Sequence, residues 1–289
     1  MGFGVWREKI DRRYDRKNGS RRSAGKGENM DLLEIHLWMT ELIYKAGGRI
    51  RQAMKRELAI EEKSGFRDLV TNVDRETEDF FRQAIQAKYP EHRIMGEERT
   101  EGRFTSLEGL VWIIDPIDGT MNFIRQGDNF GILISLFQDG EGLLGYIYDV
   151  MRDKLCFAVK GQGAYLNGLR LPQAEDKGID DSLLNIGDPI ARSNSPQTRA
   201  LLSRSLGFRA IGSAALAELS VFESKTCAYV NLGVNPWDIS ASFVIGRELG
   251  YVYMDIFGRE INLLGETTFI VGTKRAAAEI REILAGMEV

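Results

Sequence analysis

The stretch Trp112-Ile-Ile-Asp-Pro-Ile-Asp-Gly-Thr-Met-Asn-Phe123 carries more chemical information than any other part of the chain. The apolar run Leu110-Val-Trp-Ile-Ile114 reads as a buried strand that delivers Asp115 at its end. Pro116 fixes one backbone angle and turns the chain. Ile117 leaves a carbonyl free, and Asp118 returns a second carboxylate three residues after the first. Gly119 lets the backbone approach a ligand closely. Thr120 then offers a hydroxyl and an amide at a helix start, where exposed amides and the helix dipole attract anions. Asp-Gly alone is ordinary turn punctuation. Two carboxylates and a carbonyl within four residues at the end of a buried strand instead suit a hard cation such as Mg²⁺, which takes oxygen ligands and keeps waters for a phosphate to replace.

Working outward, three further acidic stretches could join this one. Gly96-Glu97-Glu98 ends a short strand, Arg93-Ile-Met95. Asp68-Leu-Val-Thr-Asn-Val-Asp74 places an acid where a second helix opens, running to about Lys88 before Tyr89-Pro90. Pro236-Trp237-Asp238 puts an acid in the first turn of an apolar helix, 237–249. Each alone has a plain explanation: a solvated turn, an N-cap, a dipole-favourable acid. Their joint presence, in this order, carries the weight.

The spacing of Leu33, Leu37, Met39, Leu42, Ile43, Ala46, Ile50 and Met54 predicts a first helix from Asp31. Residues 61–67 read as an exposed loop. Strands are expected at 131–137 and 143–148 around Gln138-Asp139-Gly140, and at 155–160 and 164–166. Helices follow at 196–205 and 214–222, then a strand at 269–272 and a last helix from Lys274 to Ala285. Helices alternating with meander-like strands give an α+β chain of layered sheets and helices.

Composition sets limits. The 289 residues carry a net charge of −4, yet residues 1–29 alone carry about +5 and the rest about −9. A folded part this acidic argues against a nucleic-acid partner, which needs a basic face. Cys156 and Cys227 lack metal or disulfide spacing and read as buried reduced thiols of a cytoplasmic protein. His36 and His92 stand apart, which leaves little material for a histidine metal site or a Ser-His-Asp triad. No apolar run approaches the ~20 residues of a membrane span. The Arg-, Gly- and Ser-rich residues 1–29 read as a disordered basic extension, with Met30 as the natural start of the folded chain.

With these motifs in hand, residues 31–285 resemble the inositol monophosphatase family, within the lithium-sensitive, magnesium-dependent phosphatases that include fructose-1,6-bisphosphatases and phosphoadenosine-phosphate phosphatases. Gly212-Ser-Ala-Ala215 and Trp237-Asp238 complete the resemblance. It implies a layered α-β-α-β-α sandwich, a homodimer, and one catalytic domain over 30–289 with halves at about 30–170 and 171–289. It implies that Glu97, Asp115 and the Ile117 carbonyl hold one Mg²⁺ and that Asp115, Asp118 and Asp238 hold a second. Some members use a third near Glu97 and Glu98, making two or three ions per site. It assigns Asp74 and Thr120 to activating the attacking water, and the Gly119 and Thr120 amides to the phosphate. Ser213 and Ala214 would line the alcohol side. Two cations neutralise the phosphate dianion and activate water, so no histidine or cysteine nucleophile is needed.

Two positions depart from the family. Members acting on inositol phosphates commonly carry Glu seven residues before the helix acid, where this chain has Asn231; Cys227 stands where Asp is common. The expected reaction is hydrolysis of a small phosphate monoester, foremost inositol monophosphate. A nucleotide phosphatase acting on 3′-phosphoadenosine or NADP compounds, with Arg192, Arg199 and Arg204 as conceivable contacts, and a fructose-1,6-bisphosphatase are the alternatives within the enzyme class. A regulatory RNA or transcription-complex protein on the same fold is the alternative outside it.

Overall fold

A stripe of apolar side chains makes the first helix, α1 (Leu32–Ala53), bury Ile35, Met39, Leu42, Ile43, Ala46 and Ile50 on one face. The computed structural model describes residues 30–65, 68–99 and 104–287; the basic stretch 1–29, with its expected disorder, lies outside the described residues. Residues from Leu33 onward form one compact unit.

The first difference from the sequence reading follows α1. Residues 61–67, expected as a loop, contribute to strand β1 (Ile60–Gly65), which pairs antiparallel with β2 (Asp68–Thr71). Ile60-Glu-Glu-Lys has no alternating apolar pattern to announce a strand. The apolar content sits on the partner, where Leu69 and Val70 are buried. Helix α2 (Asn72–Lys88) begins earlier than expected: Thr71 is its N-cap and Asp74 its third residue, joined in a capping box.

The chain then lays down β3 (Arg93–Gly96), β4 (Leu110–Asp118), α3 (Thr120–Gln126), β5 (Gly131–Gln138), β6 (Glu141–Asp149), β7 (Lys154–Val159), β8 (Gly163–Leu166) and β9 (Leu169–Arg170). These strands form a seven-stranded sheet in sequence order; β3 and β4 are parallel and the rest are antiparallel. The β5–β6 hairpin turns on Asp139 and Gly140, both left-handed (φ 50° and 80°), a geometry that matches strand twist. Strand β4 runs through Asp118 rather than stopping at Asp115 as expected.

The remainder runs β10 (Leu183–Ile186), α4 (Asp188–Arg192), α5 (Pro196–Arg204), β11 (Gly207–Arg209), α6 (Ala214–Phe222), β12 (Ala228–Val234), α7 (Pro236–Leu249), β13 (Val252–Met254), β14 (Thr267–Gly272) and α8 (Lys274–Ile283). Its five strands order as β11-β10-β12-β14-β13.

Burial shows how the layers stack. On one face of the large sheet, Trp112 meets Trp38 of α1 and Tyr146 stacks on His36. On its other face, Val111, Ile113, Leu133 and Ile147 share a core with Leu219 of α6, Ile239 and Val244 of α7, and Tyr229 and Val271 of the small sheet. The far face of the small sheet, Leu184, Val230 and Ile270, packs on Ala276 and Ile280 of α8 and Leu201 of α5. The result is the α-β-α-β-α sandwich, with α6 and α7 enclosed between two sheets.

Candidate active site

Strand β4 solves a geometric problem. Side chains alternate faces along a strand, so residues three apart, such as Asp115 and Asp118, should point to opposite sides. Opposite β5, Asp115 pairs with Leu133 but Asp118 pairs with Gly131, so β4 carries one extra residue there. This bulge returns Asp118 to the face of Asp115, toward the enclosed helices. Pro116, which has no N–H to give to the ladder, sits within the bulge.

On that face α6 and α7 present their N-termini. The Ser213 hydroxyl donates to Asp118 Oδ2, and the amides of Ala214 and Ala215 donate to Asp118 Oδ1 and Oδ2 at 3.0 and 2.9 Å. Asp238, third residue of α7, accepts the Asn235 amide at 2.7 Å. One carboxylate oxygen from each of Asp115, Asp118 and Asp238 falls in a group spanning at most 4.8 Å.

The other sequence-marked residues surround this trio. Glu97 follows β3, its amide bonded to the Ile114 carbonyl at 3.2 Å, and its charge is felt by Asp115. Thr120 Oγ1 lies 3.1 Å from both Asp74 Oδ1 and the Ile117 carbonyl oxygen. Asp74 is locked from behind by the Thr71 amide (3.0 Å) and hydroxyl. Gly119 caps α3 in the left-handed region (φ 87°); a Cβ there would also press on Ser213 Cβ at 3.1 Å.

Electrostatics follow from packing acids together away from water. Burial, and then the charges of Glu97, Asp118 and Asp238, push Asp115 well above the ordinary carboxylate range. Asp238 is raised by burial and by Glu97 and Asp118. Asp118 is raised by burial against the pull of Ser213, Ala215 and Ala214. Asp74 is pushed up to about 6, chiefly by burial. Among the described residues no Lys or Arg forms a salt bridge with Asp115, Asp118 or Asp238. An all-oxygen donor set with Asp115 and Asp118 buried, and with no salt bridge to the trio among the described residues, fits a hard divalent cation.

Beside the trio lies a cavity of about 380 Å³, walled by Asp118, Asp238, Ser213, Ala214, Gly187, Asp188 and Asn231 among others. Ser213 and Ala214 do line it, but their donors are spent on Asp118. Asn231 donates to the Tyr229 hydroxyl at 2.8 Å, and a Cβ on Gly187 would collide with its amide. No Lys or Arg is among the described lining residues. Arg192 pairs with Asp188 at 2.6 Å, Arg199 with the Asn194 side chain at 2.8 Å and Arg204 with Asp180 at 2.7 Å.

Sequence reasoning missed residues that act at one remove. Glu78, fully buried on α2, accepts the amides of Glu98 (2.7 Å) and Arg99 (3.1 Å) and fixes the turn bearing Glu97. An acid mid-helix gives no local sign of that duty. Lys63 escaped because its strand reads as a loop. Both histidines are structural: His36 bonds Tyr146, and His92 accepts the Trp112 indole N–H at 3.0 Å. Cys156 and Cys227 are free and buried.

Comparison with known proteins gives the family and the fold. The model of the inositol monophosphatase family matches residues 31–286. Inositol-1-monophosphatase of Bacillus subtilis (strain 168) is 43% identical over 234 residues, 80% of this chain and 88% of that protein. Nus factor SuhB of Escherichia coli (strain K12) is 32% identical over 249 residues, 84% of this chain and 91% of that protein. A crystal structure of staphylococcal inositol monophosphatase-1 in a lithium-soaked inhibitory complex superposes with a TM-score of 0.85 at 28% identity, covering 90% of this chain and 97% of that one.

Proposed function

The chain belongs to the inositol monophosphatase family and is a metal-dependent phosphoric monoester hydrolase, and from that premise we propose that it converts inositol monophosphate, or a closely similar polyol phosphate, to the alcohol and phosphate. The observation that carries the reading is the trio Asp115, Asp118 and Asp238, the first two buried and none of the three salt-bridged among the described residues, opening on the cavity.

Glu97, Asp115 and the Ile117 carbonyl would hold one Mg²⁺; Asp115, Asp118 and Asp238 would hold another, with two or three ions per site. When bound, Mg²⁺ supplies charge neutralisation at the phosphoryl group and acidifies water near neutral pH. Thr120, hydrogen-bonded to Asp74, orients the attacking water and passes its proton toward Asp74. A carboxyl near 6 suits that transfer at neutral pH. The Gly119 and Thr120 amides hold the phosphate, and Asp118, Ser213, Ala214 and Asn231 border the alcohol.

The nucleotide and bisphosphate alternatives call for cations on the alcohol side. The described cavity wall has none, Arg192 is neutralised by the wall residue Asp188, and Arg199 and Arg204 are engaged elsewhere, which favours an uncharged alcohol. A purely regulatory protein has no need for the full carboxylate set. The assay is phosphate release from inositol 1-phosphate with Mg²⁺ and its inhibition by Li⁺; no release from any small monoester refutes the proposal.

We assign the catalytic domain to residues 30–289, with halves near 30–170 and 171–289, and residues 1–29 to an appended basic extension. A cytoplasmic location is supported by two free buried thiols. Among the described residues no helix is long and apolar enough to cross a membrane. A homodimer is supported by the exposed Leu206 and Phe208 at the β11 edge; light scattering on the purified protein measures it.

A further inference from the structure

A cleft elsewhere on the molecule carries the opposite sign to the catalytic cavity and shares none of its described lining residues. Its volume is about 580 Å³, and its walls include Asp79, Arg82 and Gln86 of α2, Arg93 of β3, and Arg99 and Phe104 of the β3–β4 connection. Three guanidinium groups and one carboxylate therefore line it, in a folded part that is acidic overall. The three positive charges are incompletely answered. Arg82 gives its Nε to Glu78 at 2.6 Å, but that carboxylate also accepts the Glu98 and Arg99 amides. Arg82 Nη2 is buried with no hydrogen-bond partner among the described residues. A buried donor left unpaired costs free energy that an acceptor reaching it recovers. Arg93 donates to the Ser106 carbonyl at 2.6 Å and lies 5.1 Å over the Phe104 ring, and no described carboxylate pairs with it. Arg99 pairs with Asp79 at 3.1 Å, but these side chains are 47% and 40% exposed, so the pair is weak and an anion can displace Asp79.

Guanidinium forks match phosphate oxygens two at a time. The volume lies in the range of small-molecule sites and exceeds what a lone phosphate fills. We propose that this cleft is a second ligand site, which takes a small phosphorylated molecule on Arg82, Arg93 and Arg99, apart from the cavity beside Asp115, Asp118 and Asp238. The proposal goes beyond the reaction above and does not rest on it.

Inorganic pyrophosphate is the probe. It is titrated into the full-length protein by isothermal calorimetry in buffer without divalent ions, so that the acids of the catalytic cavity repel it. Wild type binds one pyrophosphate per chain with a Kd below about 1 mM. Arg93→Gln and Arg99→Gln each weaken binding about tenfold or more, the value of a charge-assisted hydrogen bond. Asp79→Asn removes the carboxylate that competes for Arg99 and tightens binding about two- to fivefold. No binding heat in wild type up to about 5 mM probe overturns the proposal. So does an affinity that neither arginine variant changes, which places the probe on another part of the chain. Arg93 and Arg99 are exposed, so loss of the fold is not expected of either variant. If Arg93→Gln does not melt cooperatively, Arg99→Gln and Asp79→Asn, with their opposite signs, decide the matter.

Discussion

The two walls of the cavity are built on opposite principles. The wall made by β4 and the helix N-termini gathers like charges in a buried space and pins each one with amides or hydroxyls. The side chains of Asn231 and Tyr229 on the other wall are uncharged, Asn231 donating to the Tyr229 hydroxyl and accepting the Gly233 amide, while Asp188 beside them pairs with Arg192. The first tolerates change poorly, because removing one carboxylate alters the charge that every neighbour feels. The second is expected to tolerate change residue by residue, because the side chains of Asn231 and Tyr229 carry no charge that the metal-binding acids must answer.

Removing a charge from the acidic wall is the strongest way to probe this difference. Asp115→Asn should lower kcat/KM on inositol 1-phosphate by about 10³-fold or more while the protein still melts cooperatively. A drop under tenfold would show the trio is not the reacting centre. Metal withdrawal comes next: a saturating divalent ion at 100 times its Kd stabilises the native state by about 2.7 kcal/mol, so EDTA should lower the melting temperature and abolish phosphate release together. A melting temperature indifferent to Mg²⁺ would mean the wall needs no cation.

Glu218 sharpens the picture just behind that wall. It is fully buried on α6, neither oxygen has a hydrogen-bond partner among the described residues, and the Ser242 hydroxyl nearby donates to the Ile239 carbonyl at 2.7 Å. Burial holds its carboxyl well above the ordinary range. The folded protein therefore keeps a proton that the unfolded chain releases near pH ~4.3, and the stability linked to it is full below that pH and lost as pH rises toward the folded value. Glu218→Gln should raise the unfolding free energy by about 1–2 kcal/mol at pH 8, with a gain that shrinks toward pH 4, measured by urea unfolding. A pH-independent difference would mean Glu218 is paired in the folded state.

The smallest effect belongs to the second wall. Asn231→Ala should change kcat/KM on inositol 1-phosphate by about two- to tenfold, the value of one hydrogen bond, with the metal requirement unaltered. A 10³-fold loss would place Asn231 with the acidic wall.

Much of the candidate site is legible in the order of residues along the chain. Asp115, Asp118 and Thr120 lie in one local stretch, and Glu97, Asp74 and Asp238 each mark the end of a patterned element. The α1 stripe and the β5–β6 hairpin are equally legible, because apolar period and turn residues are local signals. The β1 strand is not, since its apolar content lies on β2. Glu78 is not, because an acid mid-helix reads as solvated surface until its burial is seen.

The sequence by itself determined the inventory: which acids exist, in what order, and which elements carry them. The tertiary structure decided their convergence. A one-residue bulge in β4 turned Asp118 to the face of Asp115. The enclosed position of α7 brought Asp238 to both, and the β1–β2 pairing placed Lys63 on Glu97 and Glu98. Composition and period act through near neighbours. Register, sheet order and layer packing join residues far apart in the chain, and the charges that matter most here are set by those distant contacts.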